Sequence, residues 1–369
     1  MRPPRFAVSG YYGCGNAGDE AVLAGLISAL QEVSPGSCVN VLSQNPVGTE
    51  ALHGVKSAHR MNWSSVRQAL LTCDALISGG GSLLQDTTSL KSLLYYLLVI
   101  RAAQFHRKPV MMCAQGIGPL NLPISQRLTA ATARKCKAVT VRDAASAALL
   151  QRIGVTTPNV EVTADLAFAL SPAPLQAMRV VEAIEPLTGV NGSVVIALRH
   201  WGSSESTSKY TTLTRLLLNE LPGNLILLPM QHPADLQLAQ EIYMATGRHA
   251  RCHVLAQPYA PSLLISILQR ARLVVAMRLH ALILGITAGL PPVALSYDPK
   301  IDALMETIQF KEGLFSWENL DAEGVTGYVT TLLANLEVAN NAISAQKTRL
   351  RAMALRNAEV AMEMVNDKA

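Results

Sequence analysis

Leu273-Val274-Val275-Ala276-Met277-Arg278-Leu279-His280-Ala281-Leu282-Ile283-Leu284-Gly285-Ile286-Thr287-Ala288-Gly289-Leu290 holds a short apolar run, a junction bearing an arginine and a histidine, and a longer apolar stretch. The run Leu273–Met277 has strand length and no polar alternation, as expected of a strand buried on both faces of a parallel sheet. The stretch Ala281–Leu290 reads as the helix that follows. Ligands of open parallel sheets bind outside the carboxyl ends of the strands. The junction Met277-Arg278-Leu279-His280 is therefore the first place to look for chemistry.

The same strand-then-helix grammar extends in both directions. Upstream in the second half come apolar runs at Val194–Leu198, Leu225–Leu228 and near His253–Leu255, and downstream at Val293–Ser296. The first half repeats it with Phe6–Ser9, a helix from about Asp19 to Val33, and strands near Val39–Leu42, Ala75–Ser78, Val110–Ala114 and Ala138–Val141. The alternation breaks at Ser171-Pro172-Ala173-Pro174 and at Pro186-Leu187-Thr188-Gly189-Val190-Asn191-Gly192, which read as a connection. The expected fold is α/β, with two Rossmann-like domains facing a cleft and a long C-terminal helix. The expected segments are an N-terminal domain over 1–170, a linker over 171–192, a C-terminal domain over 193–335 and a helix over 336–369, broken at most once.

Three apolar runs end in arginine: Val141-Arg142-Asp143, Leu198-Arg199-His200-Trp201 and Met277-Arg278. A guanidinium forks naturally onto carboxylate or phosphate. Three at equivalent strand ends point to a small substrate with several negative charges. A plainer role is open to each, pairing with a nearby acid, as Arg142 would with Asp143. Lys300, in Ser296-Tyr297-Asp298-Pro299-Lys300, is placed on the same rim as Arg278. His280 stands at a helix start beside Arg278 and is the candidate acid or base. His200 and His232 also follow apolar runs, in weaker surroundings.

Glycine loops follow three strands of the first half: Gly10-Tyr11-Tyr12-Gly13-Cys14-Gly15-Asn16-Ala17-Gly18-Asp19-Glu20, Ser78-Gly79-Gly80-Gly81-Ser82-Leu83-Leu84-Gln85-Asp86 and Gln115-Gly116-Ile117-Gly118-Pro119. None carries the GK[ST] ending of a P-loop motif. Asp19 and Glu20 make the first loop unwelcoming to phosphate and better suited to sugar hydroxyls. Turn geometry alone explains one such loop; three on one rim suggest a binding surface.

Composition narrows the class. Half of the 369 residues are apolar and 15% are charged, which suits packed cores. The net charge of +5 mildly favours phosphates, carboxylates or an anionic membrane surface, while the absence of a Lys/Arg run argues against nucleic acid. The six cysteines form no CxxC pair and read as reduced thiols. No signal peptide is evident at Met1-Arg2-Pro3-Pro4-Arg5, and the longest apolar run, Leu93–Ile100, is far shorter than a membrane span. The expectation is a cytoplasmic protein, peripheral on the inner face of the membrane if it works there at all. No HExxH, DxD or Cys/His cluster appears, so metal independence is expected, and no GxSxG or Cys/His nucleophile pair stands out.

Taken together, Gly10–Glu20, Ser78–Asp86, Ala114–Pro119, Val141-Arg142-Asp143 and Met277-Arg278-Leu279-His280-Ala281 resemble, in the same order, the motifs of bacterial polysaccharide pyruvyl transferases. The resemblance spans nearly the whole chain and is strongest to the cell-surface-anchoring (CsaB) type. Cys14 departs from it, standing where many relatives carry an aromatic residue, so no stacking role is expected there. The resemblance implies a glycosyltransferase-B-like fold. It also implies transfer of a pyruvyl group from phosphoenolpyruvate to a sugar, forming a 4,6-ketal on N-acetylmannosamine or a related hexose of a lipid-linked cell-wall precursor, with release of phosphate. No cofactor is needed beyond the donor substrate.

On that reading His280 and Asp19 are catalytic, and Arg278, Leu279, Lys300, Arg142 and Arg199 hold phosphoenolpyruvate. Tyr12, Gly13, Cys14, Gly15, Asn16, Gly80, Gly81, Asp86 and Gln115 hold the acceptor. Two other readings use the same residues: a glycosyltransferase taking a nucleotide sugar, and a non-catalytic protein that binds an anionic metabolite or glycan.

Overall fold

The computed structural model describes residues 2–87, 89–155, 160–174, 177, 192–202 and 205–366. Most of the connection expected over 171–192 lies outside these residues. The chain divides into two compact units. The first comprises 1–14, 19–170 and 349–369; the second comprises 15–18 and 171–348.

The first unit is built on a parallel sheet of seven strands. They are β1 (Arg5–Tyr12), β2 (Cys38–Ser43), β3 (Lys56–His59), β4 (Ala75–Ser78), β5 (Val110–Gln115), β6 (Ala138–Val141) and β7 (Val160–Val162), in the order β3-β2-β1-β4-β5-β6-β7. Helices α1 (Ala17–Val33), α2 (Pro46–His53), α3 (Trp63–Thr72), α4 (Leu90–Phe105), α5 (Pro123–Ala133) and α6 (Ala144–Arg152) join them. Strands β4, β5 and β6 are buried at every residue, which explains their largely apolar sequence. One core cluster gathers α3, α4, α5 and α6 on a single face of the sheet, through residues such as Leu70, Leu97, Ala130 and Leu150.

The second unit repeats the architecture with six parallel strands: β8 (Ser193–Ala197), β9 (Asn224–Leu227), β10 (Cys252–Val254), β11 (Ala271–Ala276), β12 (Pro292–Ser296) and β13 (Leu314–Ser316). Their order is β10-β9-β8-β11-β12-β13. The helices are α7 (Glu205–Glu220), α8 (Ala234–Ala245), α9 (Pro261–Leu268), α10 (Leu279–Ala288), α11 (Pro299–Thr307) and α12 (Ala322–Ala334). The stretch that opened the sequence reading is β11 followed by α10, and α10 is buried from Ala281 to Thr287. Gly285 is required there, since a Cβ would lie 2.4 Å from Val274 of the strand beneath.

The last helix, α13 (Leu336–Asn366), is a single unbroken element of 31 residues. Its later part belongs to the first unit and is pinned there by Asn357, which is fully buried. The Asn357 amide oxygen accepts from Thr140 and Thr163, and its nitrogen donates to the Ala164 and Ala354 carbonyls. Every polar atom of the side chain is thus satisfied, as burial demands.

Candidate functional site

Strand order fixes where to look. Each sheet has one point at which the order reverses, between β1 and β4 in the first unit and between β8 and β11 in the second. Loops leaving the carboxyl ends of the strands beside such a point form the usual binding crevice. The loops in question carry the first two glycine motifs in one unit, and Arg199 with Arg278-Leu279-His280 in the other.

In the second unit, four consecutive strands β9, β8, β11 and β12 lead into Gln231, Arg199, Arg278 and Lys300. Arg278 immediately precedes α10 and is anchored to Asp235 on α8. Its Nε donates to Asp235 Oδ2 at 2.9 Å and its Nη2 to Asp235 Oδ1, while Nη2 also reaches Gln231 Oε1 at 3.2 Å. The Asp235 side chain is 1% exposed and also accepts the backbone N–H of Met230 and Gln231. This is a bidentate, buried pair that holds the guanidinium in one orientation.

Arg199 is placed differently. Its Nη1 donates to the Tyr297 hydroxyl at 2.7 Å, and its guanidinium lies over the rings of Trp201 and Tyr297, 5.2 and 5.0 Å from their centroids. Among the described residues no carboxylate pairs with it, so its charge is available to an anion. Tyr210 ties the two strand ends together: its hydroxyl donates to the Arg199 carbonyl at 2.7 Å and lies 3.1 Å from the Met277 sulfur. Burial pushes the Tyr210 phenol up, beyond any effect of the nearby Arg199, so it stays a neutral strut. After β12, Asp298 caps α11 by accepting the Lys300 N–H at 3.0 Å, which sets where the Lys300 side chain starts.

The short segment Gly15–Gly18 belongs to this unit. Asn16 bridges to Gln231, the Ala17 N–H donates to the Met230 carbonyl, and the His232 N–H donates to the Gly15 carbonyl. The imidazole of His280 lies against Gly18. A Cβ at residue 18 would sit 2.4 Å from His280 Nδ1. Only glycine lets the histidine keep this position.

In the first unit the second and third glycine loops are joined to one another. The Gly116 N–H donates to the Gly81 carbonyl at 2.9 Å, and Gly81 and Gln115 form a bridge. Arg142 spans the neighbouring loops, its Nη1 donating to Asp165 at 3.0 Å and its Nη2 to the Ser82 hydroxyl at 3.0 Å. Asp143, the partner suggested by adjacency, is 3.6 Å away, and its carboxylate caps α6 through the Ser146 N–H. Glu20 holds the first loop, accepting the Gly13 N–H at 2.8 Å and pairing with His53 at 2.7 Å.

Several of the expected acceptor residues are buried or engaged within the protein. Tyr12 is fully buried; its ring fills space left by Gly10 and Gly79, where a Cβ would lie 2.3 and 2.2 Å from it. Gln115 is also buried and donates to Ser78. Asp86 accepts the Asn121 and Leu122 N–H groups, each at 2.8 Å. Partial desolvation opposes its ionisation, but those two donors outweigh it and hold the carboxyl below its usual range. Gly80 and Gly81 are buried, whereas Gly13, Cys14 and Gly15 are at least partly open and Asn16 caps its own turn through the Gly18 N–H. Burial raises the Cys14 thiol, which disfavours its thiolate. Asp19 Oδ1 lies 3.3 Å from where a Cβ on Gly81 would stand, so the bare glycine leaves room beside the carboxylate.

Asp235, Asp165 and Tyr297 were not singled out from sequence. Asp235 opens a helix and Asp165 caps a short turn through the Ala167 N–H, so each looks like an ordinary capping residue until the arginine it holds is seen. Among the described residues no three His, Cys, Asp or Glu side chains converge on a metal site, and no helix is long and apolar enough to cross a membrane.

The whole chain is similar in structure to proteins that handle activated sugars. A UDP-GlcNAc 2-epimerase from Neisseria meningitidis, solved with UDP-GlcNAc, matches with a TM-score of 0.65 at 14% identity over 100% of both chains. Anabaena HepE in complex with UDP matches at 0.62 and 14% over 99% of this chain and 100% of that one. A glycosyltransferase from Rickettsia africae matches at 0.62 and 12% over 99% of each. At such identities these likenesses establish the fold, that of the GT-B glycosyltransferases and epimerases. Residues 16–299, which run from the Asn16 loop through Arg142, Arg199, Arg278 and His280 to the start of α11, match the family described as polysaccharide pyruvyl transferase, and the chain belongs to that family.

Proposed function

We propose that the protein transfers the pyruvyl group of phosphoenolpyruvate to two hydroxyls of one sugar, forming a 4,6-ketal and releasing inorganic phosphate. The acceptor class we assign is N-acetylmannosamine or a related hexose on a lipid-linked surface-polysaccharide precursor, as in the cell-surface-anchoring branch of the family. The observation that carries this reading is Arg199. It is a guanidinium at the reversal point of the second sheet, fixed by Tyr297 and Trp201, with no carboxylate partner among the described residues. A donor bearing both carboxylate and phosphate is the ligand such a charge suits, with Lys300 and the fixed Arg278 on the adjacent strand ends.

The chemistry follows from the donor. C3 of the enol takes up a proton, leaving an oxocarbenium-like C2. One sugar hydroxyl adds to C2, the C2–O bond to phosphate breaks, and the second hydroxyl adds to close the ring. Two hydroxyl protons are given up; one is balanced by the proton taken at C3 and the other leaves with phosphate. His280 is assigned as the proton carrier, its ring held against Gly18. Asp19 is assigned to the acceptor hydroxyls. Fixed cations act where charge builds on the departing phosphate, an effect worth roughly 3 kcal/mol per group.

The GT-B fold is shared with proteins solved with UDP or UDP-GlcNAc, so a nucleotide-sugar donor is the competing reading. A thermal-shift titration separates them. Phosphoenolpyruvate should raise the melting temperature, and UDP and GDP should not. Stabilisation by a nucleotide and none by phosphoenolpyruvate would overturn the proposal.

A further inference from the structure

Helix α4 is apolar on two faces. Leu93, Tyr96, Leu97 and Ile100 are buried in the core of the first unit. Leu90, Leu94, Leu98 and Phe105 are exposed, Leu98 by 52% and Phe105 by 83%. Their spacing of four, four and seven residues places all four within one arc of the helix, a stripe about 22 Å long. Helix α5 lies alongside, joined through Gln104, whose amide donates to the Thr132 carbonyl at 3.2 Å. It exposes Ile124 and Leu128 one turn apart. At the other flank Trp63 opens α3, 42% exposed, with its ring 6.4 Å from that of Tyr95 on α4. Scattered exposed apolar residues need no explanation, but a continuous patch of this size does.

The charge of this face names its occupant. Residues 87–142 contain nine Lys and Arg and no Asp or Glu. The positive surplus of the chain therefore resides in this segment, since elsewhere 22 basic residues are outnumbered by 26 acidic ones. Lys91 borders the α4 stripe, Arg101 lies within it between Leu98 and Phe105, and Arg127 stands beside Leu128, all exposed. The acids at its borders are engaged: Asp74 by Arg2 and the Arg5 N–H, Asp86 by the Asn121 and Leu122 N–H groups, and Asp143 by the Ser146 N–H. Pairing two copies through this face would oppose one acid-free basic surface to another. An apolar stripe with cations in and beside it, and a tryptophan at its edge, instead matches the headgroup region of an anionic bilayer.

We propose that the outer face of α3, α4 and α5 docks on an anionic lipid surface, with Leu94, Leu98 and Phe105 entering the interface and Lys91, Arg101 and Arg127 meeting the headgroups. Helix α4 begins four residues after Asp86, so docking holds the Gly79–Asp86 loop close to the lipid. The proposal stands on these helices alone and not on the reaction assigned above.

The test is co-sedimentation of the purified chain with vesicles of phosphatidylcholine alone and of equimolar phosphatidylcholine and phosphatidylglycerol. Binding to the mixed vesicles that weakens with added salt is expected. Leu94→Glu/Leu98→Glu should weaken it by about tenfold or more, with an unchanged melting temperature because both positions are exposed. Arg101→Ala/Arg127→Ala should weaken it about tenfold on mixed vesicles only. The proposal is overturned by an absence of binding at low salt, by binding that Leu94→Glu/Leu98→Glu leaves intact, or by self-association in sedimentation velocity that those replacements abolish without any vesicle binding.

Discussion

Replacing Asp235 by Asn isolates the contribution of charge to the placement of Arg278. The pair is buried on both sides, with side chains 14% and 1% exposed. Breaking such a pair from one side costs about 3–5 kcal/mol, because the remaining charge is stranded away from water. Asn keeps the shape, and its amide oxygen still accepts the Met230 and Gln231 N–H groups. The loss should therefore fall near the lower end, about 3 kcal/mol. Arg278→Met strands the carboxylate instead and should cost about the same. In the double variant both charges are gone, and the two losses should overlap by about 2 kcal/mol. The assay is native-state hydrogen exchange of the β8 and β11 amides, with urea unfolding as a check. Losses that add to within about 0.5 kcal/mol would refute the reasoning, since uncoupled charges cannot be holding each other.

Four further outcomes follow from the geometry. Gly18→Ala should displace His280, whose Nδ1 would meet the new Cβ at 2.4 Å, and lower pyruvyl transfer by about 100-fold in a phosphate-release assay, as expected for a displacement of the order of an ångström. The same variant should lose about 1–3 kcal/mol by urea unfolding, because the new Cβ would also meet the His280 Cβ at 2.8 Å, a contact that turning the ring cannot relieve. Asn357→Leu leaves the Thr140 and Thr163 hydroxyls and the Ala164 carbonyl without their buried partner, a loss of about 2–3 kcal/mol by urea unfolding. Asp86→Asn should destabilise the protein at neutral pH and match it in strong acid. The folded carboxyl lies below its unfolded value, so its stabilisation is complete above the unfolded pKa and disappears as pH falls through the folded one.

Much of the fold was legible because the central strands of the two sheets are largely apolar runs, and the arginines that end three of them stand at the carboxyl ends of parallel strands; β3 (Lys56–His59), β7 and β13 are short or polar and were not read. What those arginines touch was not legible. Arg142 is held by Asp165, 23 residues on, and Arg278 by Asp235, 43 residues back. Both acids also accept nearby backbone N–H groups, a local role that masks the longer contact. The glycine loops hid one packing feature. Gly10 and Gly79 are bare where the fully buried Tyr12 ring occupies their space. The amphipathic logic of α4 was hidden too, since a run such as Leu93–Ile100 reads as a core helix and does not disclose an outward apolar face. Nor does linear sequence show that Gly15–Gly18 associates with the second unit, or that α13 ends in the first.

The central claim is pyruvyl transfer from phosphoenolpyruvate through the strand-end cations and His280. Its most direct test incubates the protein with phosphoenolpyruvate and a panel of lipid-linked and nitrophenyl-linked hexoses, and reads the products by mass spectrometry beside phosphate release. The account predicts one acceptor that gains a single pyruvyl ketal in step with phosphate, and loss of both signals in Arg199→Ala and His280→Ala. Ketal formation that persists at near-parental rate in His280→Ala, or transfer of a sugar from a nucleotide donor to the same acceptors, would contradict it.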